Sequence, residues 1–497
     1  MRPFPLVAAT TALFDLAAAQ SSDTSASCSQ TLGSDHPAPQ VADGYTARLV
    51  ANGLTTPRGI QFDHAGNLLV VERGGGVTAL AFHNTDDDCV TVSDRKTVID
   101  DASLNHGIAI SADGSTLYAS NPEAVYSWDY DAETRSNTSE PRVLVTNMTN
   151  SDHTTRTLLL SKHAPGMLVV TRGSTSNIDA LASDLSTGHS QIKAFNLTNV
   201  TNGPYDFNTK GVLLGWGLRN DVGVDEEPLT GAVYSVENSV DEMTREGQDI
   251  HADNPGEELN FLGYLNGTAS DNQGRNFGYP ECYAAWDVDA IPDFQGSVGE
   301  QFAIGELNAT VNDTSCDAAH RQAPRLTFQA HMAPLSILFN DAGTAAWVTF
   351  HGSWDREDPV GYKLAVIEFQ DGEPVEPSTS RTAARDVVWN ADNSVCPAQC
   401  FRPVGLAWDR EGRLFMSSDA TGEIYAVTRV DGNTTSSAGS NATGTVPEAS
   451  GSSGSSSSGS ASTASTSTMP DSMPESVANE GSMSALAVVF AAVAFFL

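Results

Sequence analysis

Gly59-Ile-Gln-Phe-Asp-His-Ala-Gly-Asn-Leu-Leu-Val-Val-Glu-Arg73 is the stretch on which the fold turns. Apolar residues alternate up to an Asp/Gly turn and then run on unbroken, which predicts a β-hairpin with one fully buried strand. The pattern returns at Gly107-Ile-Ala-Ile-Ser-Ala-Asp-Gly-Ser-Thr-Leu-Tyr-Ala-Ser120. It recurs in a more degenerate form over 157–172, and again over 222–236, 336–350 and 405–418. After most copies comes a further short apolar strand, at 77–82, 125–130, 191–196, 363–369 and 423–428. Six copies of one sheet unit, none able to bury both faces alone, predict an all-β six-bladed β-propeller. Residues 45–430 allow about 64 per blade, more than four short strands need, so long loops join the blades. The largest loop is expected over about 240–330, and residues 44–51 are expected to add a strand that closes the ring.

Composition excludes other classes. The 497 residues hold 26 Lys and Arg against 62 Asp and Glu, a net charge of −36, which repels phosphate backbones and rules out a nucleic-acid partner. A hydrophobic share of 40% supports a large core and rules out general disorder.

The chain divides by composition. Residues 1–19 carry Arg2, an apolar stretch and Ala17-Ala18-Ala19, and read as a secretory signal peptide. Residues 20–44 form an N-terminal segment and 45–430 the propeller. Residues 431–484 are a Ser/Gly/Thr-rich tail that cannot bury a core and is expected to be disordered. The uncharged apolar run 485–497 is too short to span a bilayer and matches a glycosylphosphatidylinositol-anchor signal, so membrane attachment is expected only through that anchor. Asn-x-Ser/Thr sites from Asn137 to Asn441 suit a secreted glycoprotein. Six cysteines in such a chain predict disulfides, with Cys396–Cys400, Cys282–Cys316 and Cys28–Cys89 the expected pairs among several connectivities.

Propellers carry their chemistry where the inter-blade loops meet at the channel mouth. Those loops hold Arg58, His106, Asp152-His153, Arg156, Arg172, Arg219-Asn220, His331, His351-Gly-Ser-Trp354 and Arg402. Five arginines and four of the 11 histidines thus converge in a strongly acidic protein, which points to a polyanionic ligand.

The segment Gly217-Leu-Arg-Asn220, with Gly256-Glu-Glu-Leu-Asn-Phe-Leu262 and Asn276-Phe-Gly-Tyr-Pro280, resembles the glucose/sorbosone dehydrogenase family. His351-Gly-Ser-Trp, Gly361-Tyr-Lys and Arg402-Pro-Val are most similar to its fungal branch, the pyrroloquinoline-quinone-dependent pyranose dehydrogenases of auxiliary-activity type. The resemblance spans about Tyr45 to Arg429 and implies a sugar substrate, pyrroloquinoline quinone and calcium. It implies His153 as the base, oriented by Asp152, with His351 the alternative proton acceptor. Arg219 is implied to stabilise charge on the quinone oxygen, beside Asn220. Arg402 is implied to clamp the cofactor carboxylates, with Arg58, His106, Arg156, Arg172 and His331 making further cofactor or substrate contacts.

Two departures stand out. The family's calcium-binding Gly-Pro carbonyls are replaced by Ser239-Val240, and Gln329 and His331 occupy the place of a stacking Trp, leaving Trp354 or Trp216 to stack. Electrons are expected to leave to a separate acceptor such as a cytochrome or copper oxidase. The competing readings are a non-catalytic carbohydrate- or protein-binding propeller and, last, a calcium-dependent lactonase, whose ring of channel carboxylates these loops do not offer.

Overall fold

The computed structural model describes residues 32–84, 89–200 and 203–430, which belong to one compact unit. Six sheets, antiparallel but for one parallel edge pairing in each of blades 2 and 3, follow one another along the chain as blades 1 to 6. Their innermost strands are Pro57–Phe62, Ile108–Ile110, Leu158–Leu160, Asp221–Glu226, Pro334–Phe339 and Pro403–Trp408. Each adjoins the next, and the sixth adjoins the first, so the ring is closed. Closure is made by Tyr45–Ala51, which pairs with Glu423–Arg429 as the outer strand of blade 6. The expected six-bladed propeller is therefore the observed fold.

The unbroken run Leu68-Leu69-Val70-Val71 shows why the second strands are apolar throughout. Leu68 and Val70 pack with Phe415 and Ala407 of blade 6, while Leu69 and Val71 pack with Leu117 and Trp128 of blade 2. Similar cores fill the remaining interfaces, for example Val125 with Phe195 between blades 2 and 3 and Trp347 with Tyr425 between blades 5 and 6. A strand buried on both faces has no polar side to show. The Asp/Asn of the repeat is a turn device: Asp63 Oδ1 accepts from Asn67 N at 2.8 Å, and Asn340 and Asp409 serve their own turns likewise.

The region expected as one long loop contains more structure than its sequence suggests. It supplies blade 4 with its third strand, Glu257–Tyr264, and leads into its fourth, Leu326–Phe328. Between them lies a small hairpin of Cys282–Ala284 and Gln301–Ala303, tied by the Cys282–Cys316 disulfide. Gln40–Val41, from the N-terminal segment, extends the outer edge of blade 5. Cys396 pairs with Cys400, and Cys89 is disulfide-bonded. Cys28, residues 1–19, the tail 431–484 and the apolar run 485–497 lie outside the described residues. Among the described residues no helix is long and apolar enough to cross a membrane.

Candidate active site

Antiparallel pairing sets the start of each inner strand beside the end of the second strand: Pro57 with Glu72, Asp221 with Glu237, Pro334 with Phe350, Pro403 with Ser418. Loops entering the inner strands and loops leaving the second strands therefore share one end of the ring. Every residue singled out in the sequence lies on these loops or on the adjoining strand residues. A channel of about 130 Å³ runs into the ring from this end, lined by Gly59, Gly107, Thr157, Gly223, Leu335 and Gly405, one from each blade. Glycine is needed here because neighbouring inner strands nearly touch. A Cβ at Gly59 would lie 2.1 Å from the His106 carbonyl oxygen, and one at Gly405 2.5 Å from that of Arg58.

One side of the mouth is cationic. Arg58 Nη1 donates to Asp419 Oδ2 at 2.6 Å, and the other oxygen of the same carboxylate is 2.8 Å from His351 Nε2. Burial alone would raise the Asp419 carboxyl, but His351 and Arg58 hold it below its ordinary range. Burial, with the Arg58 charge beside it, lowers Arg73. Burial also lowers Arg402, which sits over the Tyr362 ring and donates to the carbonyls of His351 and Gly352. His106 is pushed well below its ordinary value by burial and by Arg58, and His351 is lowered by burial to about 4, so both rings are neutral at pH 7. The Arg58 and Arg402 guanidinium groups both lie near the Asp419 carboxylate, and the buried Arg58 Nε and His106 Nδ1 have no hydrogen-bond partner. A buried cation and buried donors left without partners favour an anion beside them. The site fits a polycarboxylate.

The other side holds the candidate base. His153, half-buried at φ 34°, points Nδ1 at Ser174, with Oγ 2.8 Å and the carbonyl oxygen 3.2 Å away. Asp152 is exposed and accepts the His153 backbone N–H at 2.8 Å, so it holds the chain and not the ring. Burial, aided by the Arg219 charge, pushes the His153 imidazole down to about 4. Gly173 makes the cradle: a Cβ there would lie 2.6 Å from Asn220 Oδ1 and 2.9 Å from His153 Cβ. Asn220 Oδ1 is buried with no partner. Arg219 spends its N–H groups on the Asn177, Asn238 and Ser239 carbonyls, Asn177 Oδ1 and Asp241 Oδ2, so what it offers the cleft is charge.

Beside Arg219 lies a group with cation-binding chemistry. Asp241, His331 and Asp355 present ligand atoms within 4.8 Å of one another, with His331 Nδ1 3.7 Å from Asp241 Oδ1. Burial would lower His331, but Asp241 and Glu257 hold it above its ordinary range, the mark of an anionic site. Of the expected calcium pair, the Ser239 carbonyl already accepts from Arg219; the Val240 side chain packs into an apolar cluster with Met243 and Tyr279, which leaves its main-chain carbonyl, the expected ligand, unaffected. The side-chain oxygens this loop offers a hard cation are those of Asp241 and Asp355, with His331 beside them.

Arg156 and Arg172 are not brought to the cleft. Arg156 is fully buried and donates to the carbonyls of Met148, His153 and Thr155. Arg172 holds Asn150 Oδ1, Asn208 Oδ1 and two loop carbonyls. Trp354 stands half-exposed on the His351 loop. Sequence reasoning missed Arg73, Ser174, Asp241, Asp355 and Asp419. Arg73 and Asp419 did carry a positional signal, since each is the first residue after a second strand, as His351 is.

The family described as TrAA12-like matches residues 39–430. The chain belongs to that family. Among TrAA12-like relatives, a pyrroloquinoline quinone-dependent sugar dehydrogenase of Hypocrea jecorina is 49% identical over 406 residues, 80% of this chain and 91% of that protein. A pyrroloquinoline quinone-dependent pyranose dehydrogenase of Coprinopsis cinerea is 39% identical over 79% of this chain, which spans 55% of that longer protein. Two solved structures superpose on the propeller. The calcium structure of Trichoderma reesei Carbohydrate-Active Enzymes Family AA12 has a TM-score of 0.78 at 48% identity, covering 81% of this chain and 99% of that one. The holo form of the pyranose dehydrogenase PQQ domain from Coprinopsis cinerea has a TM-score of 0.75 at 36% identity, covering 81% of this chain and 99% of that one. The resemblance read from the loop motifs agrees with this membership.

Proposed function

We propose that the protein is a pyrroloquinoline-quinone-dependent sugar dehydrogenase that works at the cell surface and passes electrons to an external acceptor. The observation that carries the reading is the pairing, at one channel mouth, of Arg58 and Arg402, with the unpartnered Arg58 Nε and His106 Nδ1, and a histidine whose Nε2 has no protein partner. Relatives 49% and 39% identical are named for this activity. Bound pyrroloquinoline quinone would supply an acceptor for the hydride of a sugar carbinol. Arg58, Arg73 and Arg402 hold its carboxylates, because planar guanidinium groups meet carboxylates in a matched geometry. The Asp241 and Asp355 carboxylates, with His331 beside them, would hold the calcium ion. His153 would accept the hydroxyl proton at Nε2, which burial keeps unprotonated at neutral pH. Arg219 supplies fixed positive potential where negative charge develops, at no cost in reorganisation.

The signal-like N-terminus, the glycosylation sites and the anchor-like C-terminus support secretion and attachment by a glycosylphosphatidylinositol anchor. The acceptor is proposed to be a cytochrome or a copper oxidase. A titration of the cofactor-free protein with pyrroloquinoline quinone, with and without calcium, tests the reading. Tight binding, seen as Trp fluorescence quenching, is expected only with the divalent cation, followed by optical reduction of the bound quinone on adding sugars. No binding under either condition removes the dehydrogenase reading.

A further inference from the structure

We infer that Ser174 is a positioning residue that sets the tautomer of His153, an inference that rests on the reading of His153 as the base. His153 Nδ1 faces two oxygens, the Ser174 carbonyl at 3.2 Å and Ser174 Oγ at 2.8 Å. A carbonyl oxygen only accepts, so Nδ1 must carry the hydrogen. The hydroxyl leads to the same result. Its single proton is donated to the Ser176 carbonyl at 2.8 Å, which leaves Oγ an acceptor toward Nδ1. Both oxygens therefore select the Nδ1–H form, and the lone pair lies on Nε2, the one ring nitrogen with no protein partner.

Ser174 is fully buried and cannot turn away. Its N–H donates to the Arg219 carbonyl at 2.8 Å. Its own carbonyl accepts from Asn150 Nδ2 at 3.0 Å. The amide of Asn150 is oriented in turn, because Arg172 Nε, which can only donate, holds its Oδ1 at 3.1 Å. Arg172 thus acts on the base through Asn150 and Ser174. Asp152, whose sequence position nominates it for this task, spends its carboxylate on the His153 main chain. When Nε2 takes a proton, the imidazolium keeps its Nδ1–H on Ser174 and needs no ring flip. A base that must first change tautomer loses that preorganisation.

The test uses the full chain labelled with 15N-histidine, and long-range 1H–15N correlations assigned by the signals lost in His153→Gln. The expected result is a protonated Nδ1 and a bare Nε2 at His153; the reverse tautomer overturns the inference. Ser174→Ala keeps the carbonyl but removes the shorter of the two Nδ1 contacts, and is expected to lower kcat by about tenfold with KM little changed as the ring loses its orientation, the usual scale for removing an orienting partner. Ser174→Thr, which keeps the hydroxyl, is expected to recover most of that loss. An unchanged kcat in Ser174→Ala, or an equal loss in both variants, also overturns it. If His153→Ala leaves turnover intact, the base assignment itself is wrong, and the tautomer measurement still decides the role of Ser174 separately.

Discussion

His153 is held at a φ of 34°, in the left-handed region where a non-glycine residue costs roughly 1–3 kcal/mol. The surroundings impose that conformation: Asp152 takes its N–H, its carbonyl accepts from Arg156 Nη1 at 2.8 Å, and Gly173 leaves room for its Cβ. His153 acts on a proton that moves only in the transition state, whereas Arg402 contacts groups that do not react. His153→Ala is therefore expected to keep cofactor binding while lowering kcat by about 100-fold to 10,000-fold, the range for a positioned general base. Arg402→Ala is expected to do the reverse, weakening cofactor binding with a small fall in kcat at saturating cofactor. Steady-state kinetics paired with cofactor titrations of both variants check this. Loss of turnover in His351→Ala with none in His153→Ala would move the base to the Asp419-linked histidine.

Blade 4 is the element that supports this chemistry from behind. Strand register sets Asp221, Glu237 and Glu258 side by side across three strands, so their side chains share one face. Glu237 Oε1 accepts the Arg219 backbone N–H at 2.7 Å, and the adjacent Glu257 accepts those of Ser239 and Ala333. These carboxyls hold the site loops in place, but burial and mutual repulsion raise them, Asp221 to about 7, Glu258 to about 8 and Glu237 well above its ordinary value. A carboxyl whose folded value is raised stabilises the fold below its unfolded value near 4.5. That contribution is lost as pH rises through the folded value near 8. Glu258→Gln removes one ionisation from the cluster. The melting temperature of the variant relative to the wild type is therefore expected to rise between pH 5 and pH 8, and scanning calorimetry at the two pH values checks it. An equal difference at both would show that the cluster does not titrate in this range.

At the scale of the molecule, the ring is held shut by its own first strand. Tyr45–Ala51 completes blade 6, whose other three strands lie at Pro403–Trp408, Leu414–Ser418 and Glu423–Arg429, so the closing pair joins residues far apart in sequence. The last described strand ends at Arg429, and the tail beyond residue 430 is proposed to serve attachment alone. Truncation after Thr468 is expected to move activity from the cell-surface fraction to the medium with an unchanged melting temperature. Activity that stays with the cells after truncation would overturn the anchor.

The legible parts of this protein are those written in near neighbours. Residues 59–73 determine their own hairpin, because strand alternation and an Asp-capped turn depend on side chains one to five positions apart. Six such hairpins leave a closed ring as the way to bury both faces of every blade, so the fold followed from sequence. The cations of the mouth were visible too, since loops between repeats are found by counting. What they bond to was not. Asp419 serves Arg58 across 361 positions, and it does so only because blade 6 closes against blade 1. Ser174 takes the place of Asp152 as ring partner because the blade 3 loop turns its hydroxyl and carbonyl toward Nδ1 while Asp152 turns to the main chain. The third strand of blade 4 was hidden in a presumed loop because its Glu257-Glu258-Leu259-Asn260 reads as polar, and only tertiary burial makes those carboxyls structural. Sequence sets which groups are available. Partner choice among buried polar groups is made by distance and desolvation, and those exist only once the ring has closed.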